Sequence, residues 1–321
     1  MITLSKLAAM AHVSVSTASK AFSMSPEVNE QTREMIFRIA REQGCFKKFF
    51  SARYPKYVIA VICPEYQSQF YFDALCALQS TLSEYDCEIC VASTGFSRQK
   101  ERELLEYYSH YADVDGIIMI HGSVLADFHS EVPIVTIYSS GHYGIADITC
   151  DYRSALEQAL CYYTDHGIRD IGFIGDSHTV LKLGWFREVA AQLGLSEEEL
   201  SVQVSEQRFE EGGYRAMEAF LATGKPPRGI LCAYDYMAIG AIRCLHDHGL
   251  RVPEDVAVIG MDNIAQAQYL NPSLSSIQFP TAECCRSAAQ AMAAYLTGKP
   301  FTPQLVLPCR LHLRESSRLP E

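Results

Sequence analysis

The sequence lacks any apolar run approaching the ~18 residues that a membrane-spanning helix requires, and it has a single tryptophan, Trp185. It also holds no Gly-x-Ser-x-Gly elbow, no Walker A run and no His-Glu-x-x-His. The commonest hydrolase, nucleotidase and metalloprotease chemistries are therefore without their motifs. No catalytic residue, no metal site and no cofactor is expected. The opening residues read as an amphipathic helix instead of a secretory leader, so a cytoplasmic location is the expectation. Positive charge is scarce overall: 27 Lys+Arg face 38 Asp+Glu, a net charge of −11. Taken as an average, that opposes contact with a polyanion.

The average conceals an asymmetry. Residues 1–56 hold nine Lys+Arg against four carboxylates, a surplus of five, so with a net charge of −11 the rest of the chain carries −16. A basic head on an acidic body suits a head that meets DNA and a body that is repelled by it. The twelve cysteines are expected to be core filler, since without export structural disulfides are not anticipated. Cys87 and Cys90 form a C-x2-C, but on a strand-like run their side chains point to opposite faces, and no second pair follows at zinc spacing.

The first 45 residues spell three short helices. Thr3 can cap a helix whose apolar face is Leu4, Leu7, Ala8 and Ala11. Ser14 can cap a second running to about Phe22, and Asn29 a third that carries Ile36, Ile39 and Ala40 and stops at Gly44. Two helices joined by a tight turn and braced by a third make a helix-turn-helix. From Tyr57 short apolar strands alternate with amphipathic helices. Strands are expected at Val58–Cys63, Glu88–Ser93, Gly116–His121, Ile134–Tyr138, Ile171–Gly175, Gly229–Ala233, Val256–Gly260 and Ser275–Phe279, with a late helix over Thr281–Thr297. Such alternation predicts an α/β fold of parallel sheets wrapped by helices, and the strand count suits two sheets.

Two stretches carry a family resemblance. Leu4-Ser5-Lys6-Leu7-Ala8-Ala9-Met10-Ala11-His12-Val13-Ser14, followed by Thr17-Ala18-Ser19-Lys20-Ala21-Phe22, resembles the opening of LacI/GalR repressors, and Pro26, Val28, Asn29, Thr32 and Arg33 fall where that family's third helix begins. More specific is Gly249-Leu250-Arg251-Val252-Pro253-Glu254-Asp255-Val256-Ala257-Val258-Ile259-Gly260-Met261-Asp262-Asn263, behind Ala233-Tyr234-Asp235-Tyr236-Met237-Ala238-Ile239-Gly240-Ala241. The resemblance covers essentially the whole chain. It implies a head over 1–45, a linker over 46–56 and a periplasmic-binding-protein-like sensor over 57–321. The sensor's two doubly wound parallel-sheet lobes would take about 57–150 plus 277–300, and about 151–276 plus the C-terminal tail. It also implies a homodimer on operator DNA and a small-molecule effector (a sugar, a glycoside or a nucleoside-like compound) between the lobes.

In such a head the start of the second helix reaches base edges in the major groove. Val15 suits a thymine methyl and Lys20 a guanine, while Ser16 discriminates poorly. Thr17, Ser19 and the helix-start amides suit phosphates, with Thr3, Ser14, Asn29 and Arg33 as further candidates at the DNA face. The plainer alternative is that Val15 packs inside the head. The linker departs from the family. Lys47 and Lys48 replace its Pro-Asn and are expected to contact DNA phosphates. No Leu occupies the minor-groove wedge position, and either Tyr54 or Phe50 serves as an aromatic wedge or the segment is only a tether.

For the sensor, the resemblance implies a cleft near strand ends. It sets Phe70 and Tyr71 at the cleft, Phe209 as a stacking aromatic, Asp235 as the ligand-binding carboxylate and Asp151 at a lobe crossover. Core packing for Phe209 and Tyr71, and an N-cap for Asp235, are the plainer roles. Leu181 stands where the family has an effector-clamping Arg, behind a short loop containing His178. Lys182 is expected to point away from the cleft because of its helical position. The expected effector is thus part apolar and part hydroxyl- or amine-bearing. Open alternatives are an enzyme, a periplasmic binding protein, or a regulator without a sugar effector that answers to a partner protein or another metabolite.

Overall fold

The computed structural model describes residues 2–50, 56–123, 128–139 and 144–319, and not the side chain of Lys47. The chain forms two compact units, Met1–Tyr57 and Val58–Glu321.

In the first unit, α1 (Leu4–Met10), α2 (Val15–Phe22) and α3 (Glu30–Glu42) each begin on a side-chain cap. Thr3 accepts the Lys6 amide at 3.3 Å, Ser14 the Thr17 amide at 3.0 Å and Asn29 the Thr32 amide at 2.9 Å. Such caps contribute about 1 kcal/mol each. Leu7, Ala21, Phe22, Ile36 and Ala40 are buried together between the helices. Residues after Gly44, expected as linker, form a one-turn helix, α4 (Phe46–Phe49). Its rings join the head: Phe46 and Phe49 lie 6.0 and 5.8 Å from Phe22, and Phe46 meets Phe37 edge-on at 5.0 Å. Phe50 stacks on Phe46 at 5.0 Å, and the Arg41 guanidinium lies 4.7 Å over the same ring. Phe46, Phe49 and Phe50 thereby extend, around Phe22 and Phe37, a core too small to be secure alone.

The second unit opens with β1 (Tyr57–Cys63), α5 (Gln69–Ser83), β2 (Cys87–Ser93), α6 (Arg98–Glu106), β3 (Gly116–Ile120), β4 (Ile134–Ile137) and β5 (Ala146–Cys150). It continues through α7 (Tyr152–Asp165), β6 (Ile171–Asp176), α8 (Val180–Gln192), β7 (Leu200–Ser205), α9 (Phe209–Ala222), β8 (Gly229–Cys232) and α10 (Asp235–Asp247). The rest is β9 (Ala257–Met261), β10 (Ser275–Gln278), α11 (Thr281–Leu296), β11 (Gln304–Leu307) and β12 (Arg310–His312). Two six-stranded sheets result, ordered β11-β5-β4-β3-β1-β2 and β12-β10-β9-β8-β6-β7. Only the β10–β12 pairing is antiparallel among those whose register is defined. The chain crosses between sheets after β5, after β10 and after β11, so each lobe is built from separated segments.

Central strands β1, β3, β4, β6, β8 and β9 are buried almost throughout, as expected for parallel strands covered on both faces. The four strands that hydrophobic runs do not announce are β5, β7, β11 and β12. β5 alternates buried and half-buried residues, and the other three are edges with little burial. All twelve cysteines are unpaired and most are buried. No helix of the described residues is long and apolar enough to cross a membrane.

Two backbone contacts set the distance between the two helices that deliver site residues. A Cβ on Gly240 of α10 would lie 1.9 Å from the Glu210 carbonyl oxygen of α9, and one on Gly213 would lie 2.0 Å from that of Met237. Glycine at these positions lets the two backbones touch. A test of the head's aromatic core follows. Phe22→Ala, at a side chain 1% exposed, should cost ~3–5 kcal/mol in the unfolding transition of the head. Half-buried Phe46→Ala should cost less, and neither should move the sensor's transition in urea denaturation of the whole protein.

Candidate functional site

Carboxyl ends of the parallel strands face each other across the two lobes and enclose a cavity of about 280 Å³. From the first lobe come Glu65 beyond β1, Tyr71 on α5, Phe96 beyond β2 and His121 beyond β3. The second lobe supplies Asp176 at the end of β6, His178, Leu181 and Lys182 at the start of α8, Arg208 and Phe209 at the start of α9, Tyr234 before α10, and Asp262 beyond β9. A second chamber of about 390 Å³ shares His121, Ser123, Tyr152, His178, Leu181 and Lys182 with it. That chamber is more apolar: Tyr152 stacks on Trp185 at 4.7 Å, and Tyr138 and Leu181 close it.

The polar centre is Arg208. Its guanidinium donates to both Glu65 oxygens, at 3.0 and 3.2 Å, and its Nε to Asp176 at 3.3 Å. It also lies 4.9 Å over Phe96 and 4.5 Å over Phe209. Asp176 further accepts the Tyr234 hydroxyl at 2.8 Å and the His178 amide at 2.8 Å. On the other side, Lys182 Nζ donates to the Ala233 carbonyl at 2.7 Å, stands 3.9 Å from Asp262 and lies 5.0 Å over Phe279. Burial pushes the Asp262 carboxyl up to about 6, against the pull of the Lys182 charge. Burial and that same charge push His121 down to about 3. His121 is therefore a neutral imidazole at physiological pH, 3.0 Å from the Tyr71 hydroxyl. The arrangement offers flat apolar plates, hydroxyl and imidazole groups, and one carboxylate whose charge is only loosely held.

Phe70, Tyr71, His178, Leu181 and Phe209 line the first chamber, and Asp151 the second, where it also caps α7 by accepting the Ser154 amide. Two expectations need correction. Asp235 is not at the cleft. It is fully buried, accepts the Ser276 hydroxyl at 2.6 Å and the Ile264 amide at 2.8 Å, and fills the space left by Gly260, where a Cβ would lie 2.2 Å from its Oδ1. Burial holds its carboxyl well above the usual range, with Asp262 adding to the effect. It pins β9, β10 and the Asp262 turn together, and Asp262 is the carboxylate that meets the cavity. Lys182, expected to point away, turns inward because α8 begins at Val180 and its first turn projects over the strand ends. Glu65, Phe96, Asp176, Arg208 and Tyr234 went unmarked in the sequence. Tyr234 lies beside Asp235 in a quoted motif, but nothing distinguishes Arg208 from any charged residue ahead of a helix.

On the head, Val15, Ser16 and Ser19 are exposed, as are Thr3, Ser14 and Asn29 at their caps, while Thr17 is half-buried. Val15 is 47% exposed, so it is not part of the head's interior. Lys20 pairs with Glu27. Arg33 turns inward and donates to the Ser25 and Val28 carbonyls at 2.7 and 2.8 Å, so it clamps the α2–α3 loop and is not presented to a phosphate. Lys48 is exposed and reaches the Ile2 carbonyl at 3.2 Å. Phe50 packs on the head, the Lys47 side chain is not described, and Tyr54 lies outside the described residues.

Residues 161–317 match the family of periplasmic binding protein-like domains. The HTH-type transcriptional regulator AscG of Escherichia coli (strain K12) is 26% identical over 341 residues, covering 98% of each chain. Among solved structures, the transcriptional regulator CelR–cellobiose complex matches with a TM-score of 0.69 and 26% identity, over 99% of this chain and all of that one. The lac repressor dimer bound to operator and the anti-inducer ONPF shares the fold, with a TM-score of 0.70 and 18% identity over 98% and 99% of the two chains.

The raised Asp262 carboxyl gives a signed prediction. An acid that holds its proton more tightly when folded costs stability as pH rises through the window between its unfolded value, 3.8, and about 6. Between pH 4 and pH 7 the wild-type sensor should lose on the order of 2–3 kcal/mol relative to Asp262→Asn, measured by denaturation at both pH values. A constant difference would place Asp262 at an ordinary carboxylate value.

Proposed function

The chain belongs to the LacI/GalR family of transcriptional regulators, and from that premise we propose that it binds a palindromic operator as a homodimer through residues 1–45, under control of a small molecule held between its sensor lobes. It is a DNA-binding transcriptional regulator and not an enzyme. The observation that carries the finer reading is the pairing of an exposed second-helix edge, Val15-Ser16 with Ser19 beside half-buried Lys20, with a half-open interlobe cavity of mixed polarity. The first can read base edges in a major groove, and the second can sense a metabolite. We read the protein as a cytoplasmic repressor.

Leu181 removes the family's charged clamp, and its 63% exposed side chain offers an apolar wall to both chambers. An effector joining a hydroxyl-bearing ring to an apolar part, such as a glycoside, a modified sugar or a nucleoside-like compound, suits the paired chambers. Asp262, in place of Asp235, accepts its hydroxyls. The CelR relative was solved with a disaccharide, cellobiose, which agrees with a polyhydroxylated ligand.

Lys20 must leave Glu27 to reach a base, so the pair weakens non-specific attraction in the free head. Selection of bound sequences from random duplexes should return a two-fold symmetric site. Lys20→Ala should relax one base position per half-site and cost ~1–3 kcal/mol. An asymmetric consensus would contradict the dimer reading, and an unchanged Lys20→Ala profile would remove Lys20 from base recognition.

A further inference from the structure

Arg208 carries a direct charged contact across the cleft. Glu65 belongs to the first lobe and Arg208 to the second, and their two-point pair at 3.0 and 3.2 Å crosses directly between them. A planar fork on a carboxylate fixes direction as well as distance. Phe96, also of the first lobe, lies beside it: the adjoining turn is tied to the Glu65 loop by the Thr94 and Gly95 amides, which donate to the Cys63 and Pro64 carbonyls. Across the cleft the Phe96 ring stacks on His178 at 4.0 Å and 18°, and under Arg208 at 4.9 Å. Phe96 has φ +60° and Phe209, on the far side of the guanidinium, φ +58°. Bulky residues keep such a conformation only where their surroundings over-determine it, and for Phe96 part of those surroundings belongs to the opposite lobe.

We propose that Arg208 is a positioning residue of the effector cleft which, with Glu65, latches the two lobes together before any effector arrives. The proposal rests on reading this cleft as the effector site. Glu65 is 7% exposed, so breaking the pair inside a closed cleft would leave a buried carboxylate without its cation, a costly state. The pair therefore has two acceptable conditions: joined with the lobes closed, or separated with both groups in water. Asp176 and Tyr234 hold Arg208 at the correct height from within its own lobe. An effector then acts on a preset equilibrium between closed and open lobes, and its affinity includes whatever the latch already contributes.

The single tryptophan reports on this directly. Trp185 sits on Tyr152 in the second chamber, which His121 and Tyr138 of the first lobe close. In full-length protein without ligand, Glu65→Gln and Arg208→Gln should each shift Trp185 emission to the red and raise its acrylamide quenching at least twofold, with far-UV circular dichroism unchanged. Arg208→Lys keeps the charge but loses the fork and should fall between wild type and the Gln variants. The double Gln variant should go no further than Arg208→Gln alone, because Glu65 acts through that guanidinium. Emission unchanged in both single variants, or shifts that add in the double, would overturn the latch. A role confined to folding would lower the circular dichroism signal together with the emission change and would equally overturn it. Failure of the operator selection would leave this result standing, so the two readings fail separately.

Discussion

Parallel strands are hydrogen-bonded on both edges and covered by helices on both faces, which leaves their carboxyl ends as the places where polar side chains can gather. Both lobes obey that constraint, and they turn those ends toward each other. Glu65, His121, Asp176 and Asp262 all stand at or just beyond the last residue of a strand. The core has no use for them, and the cleft collects them. Several of these strand ends leave in a left-handed conformation: His121 at φ +58°, Tyr138 at +59° and Asp262 at +100°. At roughly 1–3 kcal/mol for each such non-glycine residue, the sensor spends stability on aiming side chains inward.

Two polar devices keep that geometry in place from behind. Asp235 is sealed under Gly260 and holds the turn that presents Asp262, so a carboxylate with no access to the cavity sets the position of one that lines it. Gly213 and Gly240 let α9 and α10 approach until their backbones touch, which fixes Arg208 and Phe209 relative to Tyr234. The Tyr234 hydroxyl completes the connection by accepting the Phe209 amide and donating to Asp176.

Much of this was legible in the sequence. Thr3, Ser14 and Asn29 each announce a helix start because a short polar side chain ahead of an apolar period has few other uses. The buried strands stand out as continuous Val/Ile runs. Less legible were β5 and β7, whose alternation resembles loop or helix, and the fate of Phe46, Phe49 and Phe50, since a run of aromatics in a linker does not say which surface it will cover. At the site, adjacency misled. Asp235 and Asp262 both lie in recognisable motifs, and only three-dimensional burial distinguishes the pin from the carboxylate at the cavity. Lys182 turned inward because it lies in the first turn of α8, which projects over the strand ends, and a helical position alone does not say which way that turn faces. Arg208 was invisible because its significance comes from Glu65, 143 positions away in the chain.

The central claim is that lobe geometry at the cleft and operator affinity at the head belong to one equilibrium. The most direct measurement is the operator dissociation constant of the full-length protein, wild type beside Glu65→Gln, at one fixed salt concentration with no effector present. Coupling between sites of the usual strength, about 1–3 kcal/mol, predicts a change of fivefold or more. Equal affinities, with the lobes of Glu65→Gln demonstrably open, would contradict the account.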